Sequence, residues 1–468
     1  MTLVLGLDIG STSTKAALVD VADGVTIVRV ARRPTPSTAD DLVVTAAAVA
    51  RDCVTDAAMP VAAVGIASMA ESGAPLDAEG RALTPLLRWD RRVDRSHLDS
   101  LLTRLPDLPV ATGVPATTKP AAVALTALRA EQPDAFAAMR HWSGAADLIA
   151  RVLTGERATD HTLAARTMLA GARGDSWDAD VLDGLGLRDA LLPTVRAPGE
   201  PAGSTTASAR AFGLAPGIPV HIAGHDHVVG TWGVGVRSPG ETADSLGTAE
   251  AIVRVTHAVD IARAVAAGFS VGRTVDGSAA TVLGGSPACG AMLAGWDAEH
   301  PDDHVISHLS TVMPDEWIAG SSIVLPYPSG RQCPRPDPGA RVRVLGDARD
   351  ASDRAHSLLQ SLVAHSRWMR ETADEFAGSP TSVLTVLGSL AERIPIWAPL
   401  VATAHVPTRI STVDEPVAAG AALLAAVRSG EVAAGAAILP RTAVAPLHAP
   451  ESDDIHRRFL AAVTEGEQ

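Results

Sequence analysis

The chain has 468 residues, with 39 Lys and Arg against 53 Asp and Glu, a net charge of −14 with histidines neutral. Apolar residues make up 47% and charged residues 20%, which supplies material for sizeable cores and argues against a disordered chain. An acidic chain without a Lys/Arg-rich run is a poor partner for nucleic acid or an acidic membrane, since counterion release would not drive binding. The length accommodates two or three domains.

From residue 3 to 30 the pattern is three apolar runs, two of them joined by a Gly-Ser-Thr turn, which predicts an antiparallel three-stranded start. No basic leader precedes Asp8, so a signal peptide is not expected. Residues 40–58 read as a helix and 61–67 as a short buried strand, the pattern of a sheet covered by helices, the α/β class. Helical periodicity returns over 121–140 and 145–153, and a buried strand at 218–222 leads into Ala223-Gly224-His225-Asp226-His227.

The pattern resets after Gly240, where 241–256 predicts a hairpin around Gly247-Thr248. Strands over 268–274 and 278–283, helices over 288–298 and 351–376, a strand over 382–387 and a helix over 395–404 follow. The apolar stretch 416–427 is shorter than the roughly 18 residues a membrane span needs and reads as a buried helix. Two halves with the same opening hairpin imply an internal duplication with a cleft between them. Cys53, Cys289 and Cys333 are odd in number and far apart, which gives neither a disulfide framework nor a metal knuckle, and a cytoplasmic location is expected. Lys15 and Lys119 are the two lysines among the 39 basic residues, which makes each worth inspecting.

The strongest local signal is residues 5–20, LGLDIGSTSTKAALVD. Its turn exposes N–H groups and the hydroxyls of Ser11, Thr12, Ser13 and Thr14, which can cradle phosphate oxygens, with Lys15 adding a charge. Asp8 at the strand end suits Mg²⁺, a hard cation that takes carboxylate oxygen. An ordinary hairpin whose polar side chains satisfy the turn backbone is the simpler reading of the same string.

The string DIGSTSTK, the segment from Ser68 to Glu71 with residues 76–92, LTGERATDHTLAART at 153–167, Ala223 to His227, Ser245-Leu246-Gly247-Thr248 and residues 325–341 stand in one order. In that order they resemble the FGGY carbohydrate kinases of the actin, hexokinase and chaperone ATPase group. The resemblance implies a duplicated ribonuclease H-like (actin-like ATPase) fold of two domains with an interdomain cleft. Residues 1–240 would bind the sugar and 241–468 most of the nucleotide. It implies ATP and Mg²⁺, a sugar or polyol acceptor with a ketopentose such as xylulose or ribulose favoured, and domain closure to exclude water.

It makes Asp226 the general base and, with Asp8, a metal ligand. Ser11, Thr12, Ser13, Thr14, Lys15, Gly247, Thr248, Gly388 and Ser389 would hold the nucleotide. Glu71, Trp89, Asp90 and His227 would contact the sugar. Where the family has a glycine run near adenosine, this chain has Val386-Leu387-Gly388-Ser389-Leu390, and Ala70-Glu71 stands where glycerol kinases have Arg-Glu. Two alternatives stay open: a catalytically weak sugar-binding or regulatory relative, and a metal-dependent hydrolase using His225 and His227. A homodimer is a candidate assembly.

Overall fold

The computed structural model describes residues 1–465. Its principal elements begin with β1 (Leu3–Ile9), β2 (Ser13–Asp20), β3 (Thr26–Pro34), α1 (Ala39–Val54), β4 (Val61–Ser68), α2 (Ala145–Thr154) and α3 (His161–Ala164). Next come β5 (Gly203–Ser204), β6 (Pro219–His225), α4 (Asp226–Gly233), β7 (Glu241–Leu246), β8 (Glu250–Thr256), α5 (Gly290–Glu299) and α6 (Ala351–Ala377). The last are β9 (Val383–Leu387), α7 (Ser389–Arg393), β10 (Thr408–Ser411), α8 (Pro416–Arg428) and β11 (Thr442–Val444). Helix α1 starts where expected because Thr38 caps it, its Oγ1 accepting from Asp41 N at 3.2 Å. The helix expected over 121–140 breaks into Ala121–Glu131 and Pro133–Ala138, since Pro133 offers no N–H and disfavours helical backbone at Gln132.

The chain forms two compact units. The first contains Met1–Gly235 with Val271–Ala280 and Glu415–Leu439; the second contains Val236–Ser270, Thr281–Asp414 and the chain from Pro440 onward. In the first unit the sheet order is β3-β2-β1-β4-β6-β5. The hairpin β1–β2 is antiparallel, β4 and β6 add in parallel, and β5 closes the edge antiparallel. The second unit repeats this: β7–β8 is an antiparallel hairpin, β9 and β10 add in parallel, and β11 is an antiparallel edge. The seven residues of β1 are all buried, as a central strand covered on both faces requires.

The two units interleave along the chain: the first boundary falls at Gly235/Val236 and two later segments return to the first unit. The cause is packing too distant in sequence to read locally. Helix α8 lies on β1 and β4, where a Cβ on Gly6 would meet Ala418 O at 1.8 Å and one on Gly65 would meet Ala421 O at 1.9 Å. Only glycine lets helix and sheet backbones approach that closely. The 271–280 segment is tied in by Val271 N to Gly113 O at 2.8 Å and by His161 Nε2 with Thr274 O at 3.0 Å.

The core of the second unit holds two carboxylic acids. Asp244 and Glu250, from β7 and β8, lie close enough for their charges to interact, and Ser366 Oγ of α6 donates to Asp244 Oδ2 at 2.9 Å. Burial pushes Asp244 up to about 6, and burial plus the neighbouring Asp244 holds Glu250 well above the usual carboxylate range. The folded state thus keeps protons that the unfolded chain releases above about pH 4.5, so stability falls as pH rises from there through the folded values. Between pH 5 and 8 the wild type is expected to lose stability from this pair. Urea unfolding at both pH values should show Glu250→Gln with a flatter profile; an unchanged slope would contradict the assignment.

Candidate active site

In the first unit the antiparallel register pairs Asp8 with Lys15 directly across β1 and β2. Lys15 Nζ lies 3.1 Å from Asp8 Oδ2 and 3.1 Å from Glu415 Oε2, and Arg32 Nε donates to Glu415 Oε1 at 2.7 Å. Burial pushes Asp8 up to about 6, with Lys15 opposing and the charge of Asp226 adding. The Asp8 carboxylate in turn holds Lys15 above its ordinary range, so the lysine is an ammonium between two carboxylates.

Asp8 Oδ1 is buried and has no hydrogen-bond partner. Hard carboxylate oxygens on Asp8 and, within range of its charge, Asp226 fit a hydrated Mg²⁺ by donor chemistry. Glu415 was not anticipated from sequence, since it lies about 400 residues from Lys15 and stands in a left-handed conformation, φ +51°, at the head of α8. Glu415→Gln should leave Lys15 and Arg32 one carboxylate short and cost about 1–2 kcal/mol, discounted for the exposure of Arg32. The shift in urea midpoint checks this, and a wild-type midpoint would contradict it.

The turn between β1 and β2 is closed by Gly10 N to Ser13 O at 3.1 Å. Ser11 and Ser13 are half-buried and Thr12 is exposed. Thr14 differs from its expected role: its side chain is fully buried and its hydroxyl pairs with Thr35 Oγ1 at 3.0 Å, so it braces the turn. Lys15 likewise serves Asp8 and Glu415.

Strand β6 ends irregularly, its register against β4 shifting between Ile222 and Gly224, and Asp226 follows as the first residue of α4. Asp226 Oδ1 accepts from His227 N at 2.7 Å and lies 3.2 Å from His225 Nε2. Burial, with His227 and Arg166 nearby, holds His225 well below its usual range and therefore neutral. His225, Asp226 and His227 each offer a ligand atom within 4.8 Å of the others, and no fourth His, Cys or carboxylate joins them among the described residues. A zinc hydrolase site of the usual kind takes three protein ligands plus water, a number these three groups match.

Glu71, at φ +61°, is ion-paired to Arg166 Nη2 at 2.5 Å, while Arg166 Nε and Nη1 are buried without partners. Beside Glu71 lies a hollow of about 380 Å³, counting the solvent in its mouth, lined also by Ser72, Trp142, Asp147, Thr159 and Thr167. Burial pushes Asp147 there up to about 7 and its Oδ1 has no partner. Trp89 is half-buried, its backbone N–H donating to Ser72 Oγ at 3.0 Å, with Lys119 Nζ 4.8 Å from its ring centre. Asp90 is exposed and clasped by Arg88 Nε and Nη2 at 2.9 and 2.7 Å. Sequence reasoning missed Arg166 and Asp147, and singled out Lys119 only by the rarity of lysine.

In the second unit the loop between β7 and β8 carries Gly247 and the exposed Thr248. Their carbonyls accept from Gly290 N at 3.1 Å and Ala291 N at 2.9 Å of α5. Gly388, at φ +105°, leaves room for Leu246 O, which a Cβ would meet at 2.4 Å, and Ser389 opens α7. That glycine is thus explained by strand packing alone.

A twice-repeated hairpin-plus-parallel sheet, with a buried carboxylate at the end of its first strand, defines the duplicated ribonuclease H-like, actin-like ATPase fold. Residues 3–233 match the N-terminal domain of the FGGY family of carbohydrate kinases. The L-fuculokinase of Haemophilus influenzae is 28% identical over 178 residues, 37% of this chain and 38% of that protein. The xylulose kinase of Streptomyces rubiginosus is 30% identical over 270 residues, 54% of each chain. The matched stretch therefore spans about two fifths to half the length of these curated relatives. A crystal structure of a xyloylose kinase from Brucella ovis is 21% identical, covers 99% of each chain and has a TM-score of 0.88, a likeness of fold. No helix among the described residues is long and apolar enough to cross a membrane.

Proposed function

We propose that this chain transfers the terminal phosphoryl group of ATP to a hydroxyl of a small sugar or polyol, with Asp226 as general base. The observation that carries this is Asp226 at the irregular end of β6, its carboxylate oriented by His227 N and near enough to Asp8 for their charges to interact. Asp226 accepts the proton of the attacking hydroxyl as its oxygen bonds to the γ-phosphorus and the bond to the bridging oxygen breaks, releasing ADP. Mg²⁺, which Asp8 and Asp226 would hold, neutralises phosphate charge when bound.

Ser11, Thr12 and Ser13 offer hydroxyls and turn N–H groups to phosphate, while Thr14 and Lys15 hold that turn and Asp8 in place. Gly247 and Thr248, with Gly388 and Ser389, are the second unit's contribution to the nucleotide. Glu71, held by Arg166, and His227 face the remaining hydroxyls, and Trp89 and Asp90 contribute to the sugar's outer contacts. Buried polar groups of this kind reject analogues lacking the matching hydroxyls. The names of the relatives support a ketose, and a ketopentose such as xylulose or ribulose is the favoured acceptor; a cytoplasmic location goes with this metabolism.

A second reading, sugar binding without efficient turnover, is favoured by the single glycine of the 386–390 segment. A thermal-shift panel of ketoses, aldoses and polyols, with and without Mg²⁺-ATP, tests both. A ketose that raises the melting temperature, further so with nucleotide, is expected. A shift with sugar and none with nucleotide would favour the second reading.

A further inference from the structure

The segment that presents Asp226 is not held by ordinary strand pairing. Gly224 sits at φ +129°, where the register of β6 against β4 slips. A bulge of this sort frees backbone groups and re-aims the residues that follow. Here the freed groups on both sides are taken by side chains. His225 N donates to Thr162 Oγ1 at 2.8 Å, and Arg428 Nη1 donates to Ile222 O at 2.8 Å.

Each of these side chains is itself fixed. Thr162 has a single hydroxyl proton, which goes to Asp160 Oδ1 at 2.6 Å, so its lone pair faces His225 N. Asp160 Oδ1 also accepts Thr162 N at 2.8 Å, and Asp160 Oδ2 faces His161 Nδ1 at 3.3 Å and Arg428 Nη2 at 3.8 Å. The other anchor of Arg428 is Val275 O, 2.9 Å from Nη2. Gly224 fits against the same pair: a Cβ there would meet Thr162 Oγ1 at 2.4 Å and Asp160 Oδ1 at 2.9 Å.

We infer that Thr162 is a positioning residue for Asp226, and that Asp160 and Arg428 complete the brace that sets the angle at which the base is presented. The inference rests on the proposed role of Asp226. None of the three touches the acceptor in this scheme; they act through the backbone of Ile222, Gly224 and His225. Displacing a reacting group by about 1 Å can cost on the order of 100-fold in rate.

The test compares Thr162→Val, which keeps the shape and loses the hydroxyl, with Thr162→Ser, which keeps the hydroxyl, in the full-length protein. Thr162→Val is expected to lower kcat roughly 10- to 100-fold with the sugar KM changed less than about threefold, and Thr162→Ser to recover most of the loss. Arg428→Lys serves if Thr162→Val does not fold; it keeps the charge, loses the two-carbonyl clasp, and should show the same kcat-weighted defect. Equal losses in Thr162→Val and Thr162→Ser would overturn the inference. So would wild-type kcat in Thr162→Val, or in Arg428→Lys if that variant stands in, while Asp226→Asn is inactive; the proposed function would then stand. An active Asp226→Asn would sink both.

Discussion

Replacing Asp226 with Asn is expected to lower kcat by roughly 1,000-fold or more while sugar affinity changes only a few-fold. A positioned base contributes about 10²–10⁴ in rate, and Asn keeps the size and one acceptor oxygen while losing the ability to take the proton. His227 N can still donate to that oxygen, so the turn into α4 should persist. Steady-state kinetics with a coupled ADP assay, alongside direct sugar binding, separates the two effects. A variant with wild-type kcat would remove Asp226 from the chemistry. A variant that neither turns over nor binds would assign Asp226 to binding alone.

The largest effect on stability is expected at Gly65. A Cβ there falls 1.9 Å from Ala421 O, a backbone atom that cannot turn aside, and 3.2 Å from the Ala425 Cβ. Gly65→Val must push α8 off β1 and β4, at a cost of roughly 3 kcal/mol or more. The displacement would also disturb Glu415 at the head of α8, and with it Lys15 and Asp8. Gly295→Ala is the control: that glycine lies within α5 with nothing near its Cβ position, and the change should stabilise by about 0.5–1 kcal/mol. Urea denaturation of both variants checks the contrast, and equal midpoints would contradict the packing assigned to α8.

Much of the first sheet was legible because its signals are local. The three apolar runs of 3–30 and the Gly-Ser-Thr turn identify β1–β3. Asp8 could likewise be singled out, since it ends a strand next to a small-residue turn, whereas Asp226 and Gly247-Thr248 stood out through the resemblance of the ordered motifs. What escaped depends on residues far apart in sequence. Nothing near Lys15 announces Glu415, and nothing near Asp226 announces Thr162 or Arg428. The glycines at 6 and 65 resemble ordinary strand interruptions until α8 is seen against them. Thr14 illustrates the converse: its hydroxyl belongs to a phosphate-like turn by pattern but is spent on Thr35, one strand away.

The neighbouring buried acids Asp244 and Glu250 are also invisible to a local reading, because their pairing depends on the β7–β8 register and on α6 closing over them. Such a pair is expected to make the second unit lose stability as pH rises, in a way that net charge does not foretell.

Incubating the wild-type protein with Mg²⁺-ATP and each member of a ketose and polyol panel, then quantifying ADP and phosphorylated sugar together, is the most direct test. One sugar phosphate formed for each ADP released, with ketopentoses among the best acceptors and the activity absent in Asp226→Asn, is the expected result. ADP release that no sugar accelerates, or a sugar phosphate formed equally well by Asp226→Asn, would contradict it.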